Sequence, residues 1–217
     1  MIAGILLAAG LSRRFGGQKL LASFKNETLV ERALRVCLVV SVSPLVFVVS
    51  RDLLSAIQER MSGISIDASS GLWGFDLTTP WGEARLVVNE TPETGMADSL
   101  KKGLLALSEP ERDKGVLISL ADLPKMTPDV IRRLIGIYQR EDKKIVVPVY
   151  QGRTGHPVII HEPSFREEIQ AIEGDKGLRD VIRRHKREAA MIPWPDDSVV
   201  ADIDTPSDLI EVERRLD

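Results

Sequence analysis

The residues best suited to chemistry lie near the start of the chain, in Leu7-Ala8-Ala9-Gly10-Leu11-Ser12-Arg13-Arg14-Phe15-Gly16-Gly17-Gln18-Lys19-Leu20-Leu21. Glycines let the backbone approach an anion closely, and a hydroxyl, an arginine and a lysine neutralise phosphate charge. This is equipment for holding a nucleoside triphosphate, with Ser12, Arg14 and Lys19 as the polar contacts. Two better-known phosphate loops do not describe it. A P-loop requires Gly-Lys followed by Ser or Thr, but Gly17 is followed by Gln18 and Lys19 by Leu20. A dinucleotide fingerprint requires a second glycine two positions after the first, and Ser12 stands there.

Further along, Asp122 follows the apolar run Val116-Leu117-Ile118-Ser119-Leu120, in Ala121-Asp122-Leu123-Pro124. A carboxylate at the end of a strand is well placed to hold Mg²⁺ against substrate phosphates; an aspartate that only caps a turn is the alternative. The segment from Asn89 to Gly103 joins a strand end to a helix N-terminus, and such a terminus offers N–H groups to an anionic or polar ligand. His156, between Gly155 and Pro157, either donates to a phosphate or orders its loop. In Asp202-Ile203-Asp204-Thr205-Pro206 one aspartate is a candidate second contact to metal or substrate, although capping alone would justify Asp204. His161 and His185 have no partner cysteine and make no zinc site.

The elements that must position these residues alternate. Strand-like runs fall at 3–8, 45–50, 85–89, 115–120, 144–149 and 158–160. Helix-like runs fall at 28–40, 52–60, 96–107, 128–140, 164–172, 177–185 and 206–216. Such alternation predicts an α/β domain, a mostly parallel sheet covered on both faces, with ligands beyond the carboxyl ends of the strands. Gly10 and Asp122 both follow strands. No repeat or linker divides the chain, so residues 1–217 are read as a single domain. Residues 62–83 break the rhythm and hold two of the three tryptophans, Trp73 and Trp81. They read as an insertion, either a flap or dimer contact, or a β-hairpin packing its aromatics on the same domain.

The string Leu-Ala-Ala-Gly-x-Ser-x-Arg-x-Gly-x-x-Lys-Leu-Leu of residues 7–21 resembles the signature of the MobA-like nucleotidyltransferases, in particular the molybdenum cofactor cytidylyltransferases. Later segments resemble the same family in the same order. They are Asn89 with Gly95-Met96 and Ser99, Asp122 with Pro124, Gly155-His156-Pro157, Gly174-Asp175-Lys176-Gly177-Leu178-Arg179, and Asp202-Ile203-Asp204-Thr205-Pro206. The chain departs at Ala121, where the family commonly has glycine, and at Ala97 and Asp98, where many relatives carry serines.

The resemblance implies a Rossmann-like, three-layer nucleotidyltransferase. Its catalytic residues would be Arg14, Lys19 and Asp122, with Asp122 on Mg²⁺. Leu7, Ala8, Ala9, Gly10, Ser12, Asn89, Gly95 and Ser99 would serve the nucleotide, and His156, Asp175, Arg179 and Asp204 the acceptor. The implied reaction moves a cytidylyl group from CTP to molybdopterin, releasing pyrophosphate, with a molybdenum hydroxylase apoenzyme as a partner for hand-over. Ala9 in place of the glycine of guanylyl relatives, together with Gly155-His156-Pro157, favours cytidine. A guanylyltransferase or a sugar- or polyol-phosphate nucleotidyltransferase is the same-fold alternative. A non-catalytic molybdopterin carrier is the alternative of another class, and it would have no use for Arg14, Lys19 and Asp122 together.

The bulk numbers exclude other classes. A net charge of −3 leaves no basic footprint for nucleic acid, and no apolar run reaches membrane length. The one cysteine, Cys37, has no disulfide partner within the chain, and the expectation is a cytoplasmic protein.

Overall fold

A computed structural model describes residues 1–40, 42–69, 71 and 73–215. The chain opens with β1 (Ile2–Ala8), buried along its whole length. Its side chains alternate between two hydrophobic layers: Ile2, Leu6 and Ala8 face one, Ala3, Ile5 and Leu7 the other. That is the period of a strand buried on both faces. A small antiparallel pair, β2 (Ser23–Phe24) and β3 (Glu27–Thr28), leads into α1 (Leu29–Leu38). Thr28 and Glu31 close a reciprocal capping box at its start. Then come β4 (Val42–Ser50) and α2 (Arg51–Arg60), the latter capped by Ser50. Three strands follow, β5 (Ser65–Ala68), β6 (Phe75–Thr79) and β7 (Gly82–Asn89). Beyond them lie α3 (Met96–Leu105), α4 (Glu109–Asp113), β8 (Val116–Leu120) and α5 (Pro128–Arg140). The chain continues through β9 (Ile145–Tyr150), β10 (Arg153–Thr154), β11 (Val158–Ile160), α6 (Arg166–Gln170) and α7 (Arg179–Arg184). It closes with β12 (Ala189–Pro193) and α8 (Pro206–Arg214). Residue 216, the expected end of the last helix, lies outside the described residues.

The strands form a large sheet in the order β10-β9-β11-β8-β1-β4-β7-β6-β5, with β12 also paired to β9. The centre, β8-β1-β4-β7, is parallel. Toward both ends the neighbours are antiparallel, apart from β12 beside β9. α1, α2, α5 and α8 bury apolar faces on one side of the sheet, and α3, α6 and α7 on the other. The result is a three-layer α/β arrangement. α3 sits close to the sheet because Gly103 faces it: a Cβ there would lie 2.8 Å from Ile5 Cγ2.

The stretch 62–83 adopts the hairpin alternative. β5 and β6 extend the sheet from the edge of β7. Leu77 is fully buried and Trp81 packs on the same core. The Arg85 guanidinium lies 4.3 Å from the centroid of the Trp73 ring, and the Trp73 indole N–H donates to Asp76 at 2.7 Å. Among its described residues none lines either cavity at the strand ends, so the flap reading is corrected. The cause is β7, whose free edge offers a ladder of unpaired groups that the hairpin satisfies. No described helix is long and apolar enough to cross a membrane.

Candidate active site

β1 and β8 are neighbours, so the loops after them open side by side. The Ala121 N–H donates to the Leu7 carbonyl at 3.0 Å and ties the two ends together. Between these loops and the start of α3 lies a cavity of about 360 Å³. Its walls include Leu7, Ala8, Ala9, Gly10, Ser12, Arg14, Lys19, Gly95, Ser99, Asp122, Asp175 and Asp204, gathered from across the chain. A Cβ on Gly10 would meet no protein atom within 4 Å, so the missing side chain makes room for a ligand rather than for the fold. Ser12 has φ +50 and its Oγ is buried without a hydrogen-bond partner. An unmet buried hydroxyl costs about 1–3 kcal/mol, a penalty that a bound anion would relieve.

Lys19 is a buried lysine although it stands in a loop rich in glycine. It is 8% exposed, starts a short 3₁₀ turn, and its ammonium donates to Asp122 Oδ2 and to the Ile203 carbonyl, both at 2.6 Å. Asp204 Oδ1 lies 3.8 Å from the same ammonium, and Arg14 Nη1 meets Asp204 Oδ2 at 2.9 Å. Asp204 is therefore no helix cap: Thr205 caps α8 with Asp208, which leaves the Asp204 carboxylate for the cations. The Ile203 N–H also donates to the Asp122 carbonyl at 3.0 Å, which fixes the 202–204 segment against the end of β8.

Asp122 Oδ1 is buried and unpartnered. No group of three or more His, Cys, Asp or Glu side chains converges among the described residues. A cation here would rest on one or two carboxylates, Asp122 with Asp204 beside it, and take its remaining ligands from substrate oxygens and water. That is the habit of Mg²⁺ at phosphates, and the donor set fits it.

A second cavity, of about 210 Å³, adjoins the first and shares Met96, Leu120 and Asp175 with it. His156, Arg153, Lys176, Arg179 and Asp202 line it. Burial pulls the His156 pKa down, although the Ile118 carbonyl 3.4 Å from Nδ1 and the charges of Asp122 and Asp202 oppose this. Burial raises the Asp202 carboxyl, and Asp122 and Asp204 push it the same way. The two aspartates thus divide: Asp204 faces the first cavity, Asp202 the second.

The start of α3 is not an open anion site. The Met96 N–H donates to Asp175 Oδ1 and the Ala97 N–H to the Gly174 carbonyl, both at 3.0 Å. Gly95 makes this possible, with φ +102 and a would-be Cβ 2.5 Å from the Gly174 carbonyl carbon. Asp175 lines both cavities while it caps the helix. Asn89 lines neither: it is fully buried and holds Ser99 instead, its amide donating to Ser99 Oγ at 2.9 Å. Arg13 and Met96 also line the first cavity and Arg153 and Lys176 the second, four residues to which the sequence assigns no role of their own. Arg153 stands two residues before Gly155-His156-Pro157 and Lys176 stands inside Gly174–Arg179, so their charge and their place beside or within a site motif were the available signals.

The profile of the MobA-like NTP transferase domain matches residues 4–189. The chain belongs to this family. It is a nucleotidyltransferase, in keeping with the family description and with the molybdenum cofactor cytidylyl- and guanylyltransferases among its relatives. The purine catabolism protein PucB of Bacillus subtilis is 26% identical over 98% of this chain and 96% of its own. The molybdenum cofactor cytidylyltransferase of Escherichia coli is 21% identical over 97% and 95%. The crystal structure of Rv0371c from Mycobacterium tuberculosis aligns with a TM-score of 0.77 and 25% identity, covering 99% of this chain and 98% of that one. Its manganese complex aligns with a TM-score of 0.73 and 23% identity over 98% of each.

Proposed function

We propose that this MobA-like enzyme transfers a cytidylyl group from CTP to a molybdopterin-type cofactor, with Mg²⁺ and release of pyrophosphate. The observation that carries the reading is the pair of adjoining cavities. The first offers Ser12, Arg14, Lys19 and the free Oδ1 of Asp122 to a triphosphate; the second offers Arg153, Lys176 and Arg179 to an anionic acceptor. Where the two cavities meet, a terminal phosphate oxygen of the acceptor attacks the α-phosphorus of the nucleotide. The bond from that phosphorus to the oxygen bridging the β-phosphate breaks, and pyrophosphate leaves. The protein's work is alignment and charge neutralisation. Asp122 would hold Mg²⁺, which would add neutralisation of the phosphate oxygens. Arg14 reaches the β- and γ-phosphates, Lys19 lies on the α-phosphate side, and Ser12 donates to a phosphate oxygen. His156 and Arg179 orient the acceptor.

The choice of cytidine is supported by the Ala9 methyl in the wall of the first cavity and by the cytidylyltransferase among the relatives. Pyrophosphate release measured with molybdopterin and each nucleoside triphosphate tests it. CTP should exceed GTP in kcat/KM, and Ala9→Gly should narrow the difference. Equal values for the two nucleotides would overturn the cytidylyl assignment and leave the family standing.

A further inference from the structure

Asn89 ends β7 and is 0% exposed, yet it anchors a chain of hydrogen bonds that finishes in the first cavity. Its Oδ1 accepts from the Thr91 backbone N–H at 3.0 Å and from the Lys102 ammonium at 2.7 Å. Neither of those groups can accept a hydrogen bond. The amide therefore has one permitted orientation, with its NH₂ toward Ser99, where it donates to Oγ at 2.9 Å. Lys102 is itself held by Asp98 at 2.6 Å and by Thr91 Oγ1 at 3.1 Å, so the arrangement is braced from both sides. Ser99 is 5% exposed and lines the cavity. Its oxygen is engaged by Asn89, and its hydroxyl hydrogen meets no acceptor among the described residues.

We infer that Asn89, oriented by Lys102 and the Thr91 N–H, is a positioning residue that fixes Ser99 as a hydrogen-bond donor to the nucleoside part of the substrate. The site then selects a ligand with a lone pair at that point, a base carbonyl or a ribose oxygen. This rests on the first cavity being the nucleotide site. Asn89→Asp reverses the polarity with almost no change of shape. The new carboxylate only accepts, and its charge is met by Lys102. The Ser99 hydroxyl then turns to donate inward and presents a lone pair to the ligand.

The test is a double-mutant cycle read by calorimetry. ATP, CTP, GTP and UTP are first titrated into the wild type, and the tightest is carried to Asn89→Asp, Ser99→Ala and the double variant. Each single variant should bind about tenfold more weakly, the size of one lost hydrogen bond at the upper end of its usual range. The double variant should be no weaker than Ser99→Ala alone. A loss from Asn89→Asp that persists undiminished without Ser99 would show a merely structural role and overturn the inference, as would unchanged affinity in both single variants. Failure of all four nucleotides to bind the wild type would instead overturn the nucleotide reading, and this inference with it. Should Asn89→Asp not fold, the ligand closes the cycle. Analogues of the same nucleotide lacking either the 2′-hydroxyl or a base carbonyl are titrated into the wild type and Ser99→Ala. The analogue missing the accepted atom should lose about tenfold on the wild type and nothing further on Ser99→Ala, which also identifies the atom. Equal losses on both proteins would overturn the inference.

Discussion

Replacing Lys19 by methionine should damage the fold and the chemistry separately. Lys19 is 8% exposed, and its ammonium holds Asp122 Oδ2 and the Ile203 carbonyl at 2.6 Å. Methionine keeps most of the stem and removes the charge. Asp122 is then left as a carboxylate without its partner, and the Ile203 carbonyl without its donor. Breaking a buried ion pair from one side costs about 3–5 kcal/mol. The Asp122 side chain is 21% exposed, so water recovers part of that, and about 2–3 kcal/mol is expected. For a chain of this size that lowers the melting temperature by about 5–10 °C. Thermal unfolding followed by circular dichroism measures it. Lys19→Met/Asp122→Asn removes both charges and should regain most of the stability. Pyrophosphate release should fall by about 10²–10³ in the single variant, as for loss of one preorganised donor, and should not return in the double. A single variant that melts within 1 °C of the wild type, or a double variant no more stable than the single, would refute the reasoning.

Asp122→Asn should require more Mg²⁺ for half-maximal activity, because an amide is a poorer ligand than a carboxylate for a hard cation; a Mg²⁺ titration overlaying the wild type would reduce Asp122 to a turn residue. Gly95→Ala should cost about 1–3 kcal/mol from its φ of +102 alone, and its Cβ should push the 174–175 segment off α3. Faster amide exchange at Met96 and Ala97 is the readout, and unchanged protection there would contradict the packing. His185 lies between Glu188, 3.0 Å from Nδ1, and Glu168, 2.5 Å from Nε2, and these bonds raise its pKa. The stabilisation is fully present below the unfolded value of about 6.5 and is lost as pH rises through the higher folded value. The melting-temperature gap between wild type and His185→Gln should therefore narrow from pH 6 to pH 9, and a gap that widens would show the sign to be wrong.

The features legible in the sequence are those that depend on neighbours along the chain. The apolar run of β1, the helix starts near 28, 128 and 206, and the loop from Gly10 to Lys19 are local patterns, and the structure carries them at the expected places. β12 gives no strand signal because Ala189–Pro193 is rich in alanine, ends in proline and has one β-branched residue; it is a strand only by pairing with β9. The sequence of 62–83 leaves hairpin and flap open for a similar reason, since only the free edge of β7 decides between strand and loop.

The sequence by itself determined which side chains were available for phosphate, metal and acceptor, because a motif specifies residue types and the strand ends that carry them. The tertiary structure alone decided how those side chains are used. Lys19 reaches Asp122 across 103 residues and Ile203 across 184, so its burial could not be read from the exposed-looking loop in which it stands. Asn89, grouped by its motif with the nucleotide contacts, is turned inward because β7 ends in the core and Lys102 lies one α3 turn beyond Ser99. Arg153 and Lys176 join the second cavity only when β10 and the loop before α7 converge. Local chemistry chooses the groups, whereas charge pairing, burial and hydrogen-bond direction depend on distances that only the packed chain sets.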